Sequence, residues 1–356
     1  MRTRPLVALL LSLPIAAVGA WAQLPPSPDA PPVSHAPAQP EDDQPVASFK
    51  IQSSLVDLFF TVKDKSGQLV PHLNQADCSV EEDKQPQKWR SFTAETDLPL
   101  TIGILLDTSG SQQDVLPLEK QAGSQFLEQV LRKKDEAFVL SFDVNVDLLQ
   151  DYTNSSRQLA RALDKAEINT AGGNGAAGIP GLGGGTIPVQ GTPKGTLLYD
   201  AIYLAANEKL SSETGRKALI ILTDGDDQGS HTKIQEAVAA AQRSNAIIYV
   251  ILIADTGFYG GFNMGYSGYS AAKKLSEESG GRLINVGNNG KKLEQAFQQI
   301  QDELRTQYVG TYVPTNNKLD GTFRHVALSC GEGAHVQVRK GYFAPTPEQA
   351  KGADGH

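Results

Sequence analysis

The feature that most constrains this fold is a set of short, unbroken uncharged runs in the middle of the chain. Residues 100–106, 218–222 and 247–253 are built almost wholly from Leu, Ile, Val and Ala. A strand with one wet face alternates apolar and polar residues; a strand covered on both faces does not need to. Between the runs lie stretches with helical spacing, at 114–132, 155–166, 197–210, 233–243, 271–279 and 291–305, and a short strand at 282–286. Strand alternating with helix predicts a doubly wound, Rossmann-like α/β sheet over residues 97–305. The runs 137–142 and 146–150 flank Asp143-Val144-Asn145, which predicts one antiparallel pair at an edge.

The flanks read differently. In the N-terminal arm, 48–96, Val56, Leu58, Phe60 and Val62 alternate on one face, and Lys65-Ser66-Gly67 makes a turn. Short strands follow at 79–82 and 88–92, with Asp83-Lys84-Gln85-Pro86 between them. The C-terminal arm, 306–345, offers strands at 308–313, 323–328 and 335–338. Neither arm is long enough to close a sandwich alone. They are expected to pack together as one small β-sandwich-like domain into which the α/β unit is inserted.

The two ends carry no core. Arg2 and Arg4, the apolar run 6–18 and Ala20-Trp21-Ala22 make residues 1–22 a secretory signal peptide. Residues 23–47 are a Pro-rich disordered linker and 346–356 a disordered tail. No second stretch reaches membrane-spanning length. The expected location is outside the cytoplasm, periplasmic or secreted to the cell surface. A net charge of −8 with no basic run argues against nucleic acid and anionic membranes as partners. Cys78 and Cys330 lie on opposite sides of the central unit. Two readings stay open: a disulfide tying arm to arm, or two separate buried thiols.

The first central strand ends in Asp107-Thr108-Ser109-Gly110-Ser111. Just past the carboxyl end of a doubly wound strand is where ligands bind. A carboxylate and two hydroxyls at alternate positions can point one way. They are hard oxygen donors, suited to Mg²⁺, Mn²⁺ or Ca²⁺ rather than Zn²⁺. A second strand ends in Thr223-Asp224-Gly225, and Gly195-Thr196 precedes a helix opening Leu197-Leu198-Tyr199-Asp200-Ala201.

These three pieces in this order resemble the metal-ion-dependent adhesion site (MIDAS) of von Willebrand factor type A (VWA) domains. The resemblance implies that Ser109, Ser111 and Thr196 bind the ion directly. Asp107 binds directly or through water, Asp224 through water, and an acidic residue of a protein partner completes the coordination. The arms, with Val56-Asp57-Leu58, Asp64-Lys65-Ser66-Gly67 and Tyr342-Phe343-Ala344-Pro345, are similar to a bacterial family of exported VWA-related proteins. Cys78 stands where that family has an aromatic residue, which favours pairing with Cys330. The loops 169–195 and 256–269 are expected on the metal face, where Phe258, Tyr259, Phe262 and Tyr266 would touch a partner.

Catalysis is the main rival. A Mg²⁺-dependent hydrolase wants a second carboxylate two residues after the first, and Ser109 stands there. Gly265-Tyr266-Ser267-Gly268-Tyr269 fails as a serine-hydrolase elbow at its last residue. The histidines have no ligand spacing. The expectation is a binding module and not an enzyme; the remaining alternative is a metal-independent scaffold that binds through its β-arms.

Overall fold

The computed structural model describes residues 55–94, 98–169, 195–253 and 265–348, without the side chains of 265–267. The signal, the linker, the tail beyond Glu348, most of both glycine-rich loops, and Phe258, Tyr259, Phe262 and the Tyr266 side chain lie outside the described residues.

The apolar runs form the middle of a six-stranded sheet. Its strands are β5 (Leu100–Asp107), β6 (Glu136–Phe142), β7 (Val146–Thr153), β8 (Arg216–Thr223), β9 (Ala246–Leu252) and β10 (Leu283–Asn285). Their order is β10-β9-β8-β5-β6-β7, all parallel except β7, which pairs antiparallel with β6 at the edge. From β5 the chain winds outward through β6 and β7, then returns to β8 on the other side of β5. The winding reverses between β5 and β8.

Every residue of β5 and β8 is buried, because helices cover both faces. On one face α1 (Leu116–Val130), α2 (Ser156–Lys165) and α6 (Gly290–Arg305) pack on Ile102, Ile104, Leu106, Ile220 and Leu222. On the other, α3 (Leu198–Leu204), α4 (Ile234–Arg243) and α5 (Gly265–Ser279) pack on Leu105, Leu219, Ile221 and Val250. The helix expected over 197–210 changes pitch: residues Ala205–Leu210 continue α3 as wider π-helical turns. Tyr266 and Tyr269 belong to α5 and not to a loop, since that helix begins at Gly265.

The arms interleave. The N-terminal arm supplies β1 (Val56–Lys63), β2 (Cys78–Glu82), β3 (Gln85–Gln87) and β4 (Trp89–Ala94). The C-terminal arm supplies β11 (Tyr308–Tyr312), β12 (Phe323–Cys330), β13 (His335–Val338) and β14 (Gly341–Phe343). They form two four-stranded sheets, β13-β1-β11-β4 and β14-β12-β2-β3, each drawing on both arms. Val56, Leu58, Phe60 and Val62 face a shared core with Val80, Tyr308, Tyr312 and Val326. The turn between β2 and β3 is tighter than the sequence suggests. Asp83 and Lys84, both at positive φ, suffice for it, and Pro86 sits in β3 opposite Glu81. Proline is tolerated there because β3 is an edge strand. Cys78 and Cys330 face each other in the β2–β12 pair and are joined in a disulfide.

Candidate metal centre

The reversal of winding creates the site. Adjacent β5 and β8 run parallel and in register to Leu106 opposite Leu222. The helices that follow them leave on opposite faces of the sheet, which opens a crevice at their carboxyl ends. Asp107 ends β5 and Asp224 follows β8, so the crevice receives both carboxylates.

Local hydrogen bonds fix the loop after β5. Asp107 is fully buried and accepts the Ser109 N–H at 3.0 Å and the Thr223 hydroxyl at 2.6 Å. The second bond ties the ends of β5 and β8 together through the carboxylate itself. The Ser109 and Ser111 hydroxyl oxygens lie 3.1 Å apart, and the Ser111 hydroxyl donates to Asp224 at 2.6 Å. Asp224 also accepts the Asp226 N–H at 3.1 Å. Asp107, Ser109, Ser111 and Asp224 therefore form one connected cluster of oxygens.

Thr196 reaches the same end of the sheet by another route. Its backbone exchanges two hydrogen bonds of 3.0 Å with Gln228, in the loop after β8. Among the described residues no hydrogen bond joins its hydroxyl to the other four. Asp143, in the β6–β7 turn, braces the site from behind. It accepts from Thr108 Oγ1 at 2.8 Å and Asn169 Nδ2 at 3.0 Å, and its carbonyl receives the Leu197 N–H at 2.8 Å.

Two glycines allow the closest approach. Gly225 has φ +84°, and a Cβ there would lie 2.5 Å from the Gly268 carbonyl oxygen; a Cβ on Gly268 would lie 2.6 Å from the Asp224 carbonyl oxygen. The first turn of α5 thus rests directly on the Asp224 loop. This contact gives physical reason for α5 to start before residue 271.

Electrostatically the cluster favours a cation. Burial, reinforced by the Asp224 carboxylate, pushes Asp107 up to about 7. In the first turn of α1, Glu119 is pushed well above the usual carboxylate range by burial and then by Asp107 and Asp224. A divalent ion relieves this repulsion. The donors are all oxygen, two carboxylates and hydroxyls, which fits Mg²⁺, Mn²⁺ or Ca²⁺. Among the described residues no group of three or more His, Cys, Asp or Glu side chains is placed to hold a metal, so the hydroxyls are needed to complete the set.

Sequence reasoning passed over Glu119, although a signal was present. The acid lies three residues from both Leu116 and Ala122 and seven before Phe126, on the apolar stripe of α1.

No protein-family model matches the chain, and no curated protein matches it. Among solved structures it is similar to the conserved protein BatB from Bacteroides thetaiotaomicron, at 18% identity over 57% of this chain and 98% of that one, with a TM-score of 0.41. It is also similar to proximal thread matrix protein 1 from the mussel byssus with a zinc-occupied MIDAS motif, at 17% identity over 62% and 48% of the two chains and a TM-score of 0.44. A third is the PilB minor pilin from Streptococcus sanguinis, at 13% identity over 59% and 62%, TM-score 0.40. The match spans about half of the mussel protein and less than two thirds of the pilin. Overlaps this loose carry no functional argument, which rests on the residues of the site.

Proposed function

We propose that this chain is a VWA-type binding module in which a divalent cation, Mg²⁺ with Mn²⁺ or Ca²⁺ as substitutes, joins it to an acidic residue of a protein partner. The observation that carries this reading is the oxygen cluster at the winding reversal, where Ser111 bridges to Asp224 and Asp107 spans β5 and β8. Ser109 and Ser111 offer lone pairs to the ion, Thr196 is held at the same edge to add a third hydroxyl, and Asp107 and Asp224 balance its charge. When bound, the ion supplies a Lewis-acidic position for an incoming carboxylate. Two carboxylates against a 2+ ion leave the site near neutrality, so an acidic partner is not repelled. Adhesion or assembly follows from this chemistry more readily than catalysis, since Ser109 occupies the place where a hydrolase would need an acid.

The disulfide supports a location outside the reducing cytosol. No described helix is long and apolar enough to cross a membrane.

The test is thermal unfolding of residues 23–356 in EDTA and with each ion, beside Asp107→Ala. An ion at about 100 times its Kd stabilises the native state by roughly 2.7 kcal/mol and raises the melting temperature by several degrees. That rise disappears in the variant. A parallel binding screen uses peptides that carry one Asp or Glu on a neutral background. Capture that survives EDTA unchanged would sink the metal-bridged mechanism.

A further inference from the structure

Glu119 is the most exceptional side chain of the α/β unit. It is fully buried, and neither carboxylate oxygen has a hydrogen-bond partner. It shares its face of α1 with Leu116, Ala122, Phe126, Leu127 and Val130, an environment that solvates no charge. The amino end of α1 offers partial positive charge, yet no N–H of that turn bonds it. Both side-chain charges that act on it, Asp107 and Asp224, are negative.

A second polar side chain shares this condition. Gln112, in the turn that leads from Ser111 into α1, is 1% exposed, and neither its amide nitrogen nor its amide oxygen has a partner. Buried polar groups left unpaired are costly and rare. Two of them, an acid and an amide, occur in the segment that connects the metal loop to α1. A cation held by Asp107 and Asp224 would offset the two negative charges that act on Glu119.

We propose that Glu119 is an outer acid of the cation site that strengthens retention of the bound ion. Glu119 is not assigned as a direct ligand, since among the described residues no third acid joins Asp107 and Asp224 in a ligand group. It is a positioning residue: without an ion, burial and the two motif carboxylates favour its protonated form, and a bound cation favours the ionised form, which then helps to hold the ion. The ion is then held more tightly, and the site is less attractive to an acidic partner than the motif alone implies. This inference rests on the cation-binding reading above.

The experiment measures Mn²⁺ binding to residues 23–356 by electron paramagnetic resonance, in the wild type, Asp107→Ala, Glu119→Gln and Glu119→Leu, together with melting temperatures in EDTA. Outer residues of a metal site typically change affinity about 10–100-fold. Glu119→Gln is expected to weaken Mn²⁺ binding by at least about tenfold while the EDTA-treated protein melts no lower than the wild type. Affinity and metal-free stability then move apart, whereas a merely structural role would move them together. Glu119→Leu, which suits the apolar stripe, gives the same answer should the glutamine variant fold poorly. A wild-type site lost in Asp107→Ala but unchanged within about twofold in the folded Glu119 variants overturns this inference alone. Absence of Mn²⁺ binding in the wild type overturns the cation reading and this inference with it.

Discussion

The Ser111 hydroxyl donates to the Asp224 carboxylate at 2.6 Å across 113 residues of sequence. The bond joins the two loops that define the site; with the Ser109 hydroxyl donating to Ser111, one lone pair of the Ser111 oxygen is left for a cation. One side chain can therefore close the crevice and coordinate at once. Ser111→Ala loses both functions. In EDTA the variant is expected to be about 1.5–3 kcal/mol less stable, the range for a hydrogen bond to a charged group. With Mg²⁺ its melting temperature should rise less than that of the wild type. Equal ion-induced shifts in the two proteins would remove Ser111 from the ligand set.

The raised Asp107 carboxyl makes metal-free stability depend on pH. Its pKa moves from the ordinary 3.8 to about 7 on folding. Below about pH 4 the group is protonated in both states and costs nothing. As pH rises towards 7 the unfolded chain ionises first, so folding carries a growing penalty that levels off above the folded value. Glu119, shifted in the same direction, extends that loss. The lowered carboxyls of Asp64, Asp151, Asp200 and Asp320 act with the opposite sign, but below their ordinary 3.8 and so outside this window. Urea unfolding in EDTA should show lower stability at about pH 7.5 than at about pH 5. Saturating Mg²⁺ should flatten the difference, and Asp107→Asn should reduce it. A metal-free protein more stable at the higher pH contradicts the assignment.

The central sheet was legible because burial on both faces leaves a mark that no local choice can imitate, as in 100–106 and 247–253. The Asp107-to-Ser111 loop was legible because its donors are contiguous. What sequence alone missed depends on contacts between distant segments. The early start of α5 follows from Gly268 lying against Asp224 and Gly225. The strand β14 exists because Tyr342 and Phe343 find β12 as a partner. Glu119 was readable as an acid on an apolar stripe, but its meaning required Asp107 and Asp224 to be placed beside it. The cysteine pairing lay between: spacing permitted it, and only the β2–β12 register brings the two Cα atoms to 4.1 Å.

The disulfide closes the chain around the whole α/β unit, a separation of 252 residues. Loop-closure entropy assigns a crosslink of this span roughly 5 kcal/mol as an upper value, with about 2–4 kcal/mol typical. Cys78→Ser together with Cys330→Ser should lower stability by an amount in that range. The Mg²⁺-induced shift should persist in the double variant, because the bond lies in the sandwich. A non-reducing digest of the wild type should yield the linked Cys78 and Cys330 peptides; unlinked peptides would remove the bond.

Gly103 shows how tightly the sheet is packed beneath the site. It faces the side of β5 where a Cβ would lie 2.4 Å from the Phe138 ring and 2.6 Å from Leu219. Both neighbours are fully buried and have nowhere to withdraw. Gly103→Ala is expected to cost about 1–3 kcal/mol through overpacking, read from the urea midpoint. A neutral result would mean that the centre of the sheet is looser than these contacts require.

One buried acid helps to join the α/β unit to the sandwich. Glu303 of α6 is 1% exposed; it accepts from Lys63 of β1 at 2.8 Å and from Arg282 at 2.5 Å, and Gln337 of β13 adds a third bond at 3.2 Å. Two sandwich strands and the start of β10 thus converge on one carboxylate. Removing it leaves two partly exposed cations without their shared partner, which costs less than the ~3–5 kcal/mol of breaking a fully buried pair because both can turn to solvent. Glu303→Ala should therefore unfold at lower urea, with Lys63→Ala milder because Lys63 is partly exposed. A double-mutant cycle between the two should give a clear coupling energy. The network lies at the amino ends of the strands, since Arg216, the first residue of β8, bonds the carbonyl of Leu304 beside it. The oxygen cluster of Asp107, Ser109, Ser111 and Asp224 lies at the carboxyl ends. Glu303→Ala should keep the full Mg²⁺-induced rise in melting temperature while starting from a lower baseline. Loss of that rise would mean that the two ends of the sheet are coupled, and that the sandwich helps to set the geometry of the cation site.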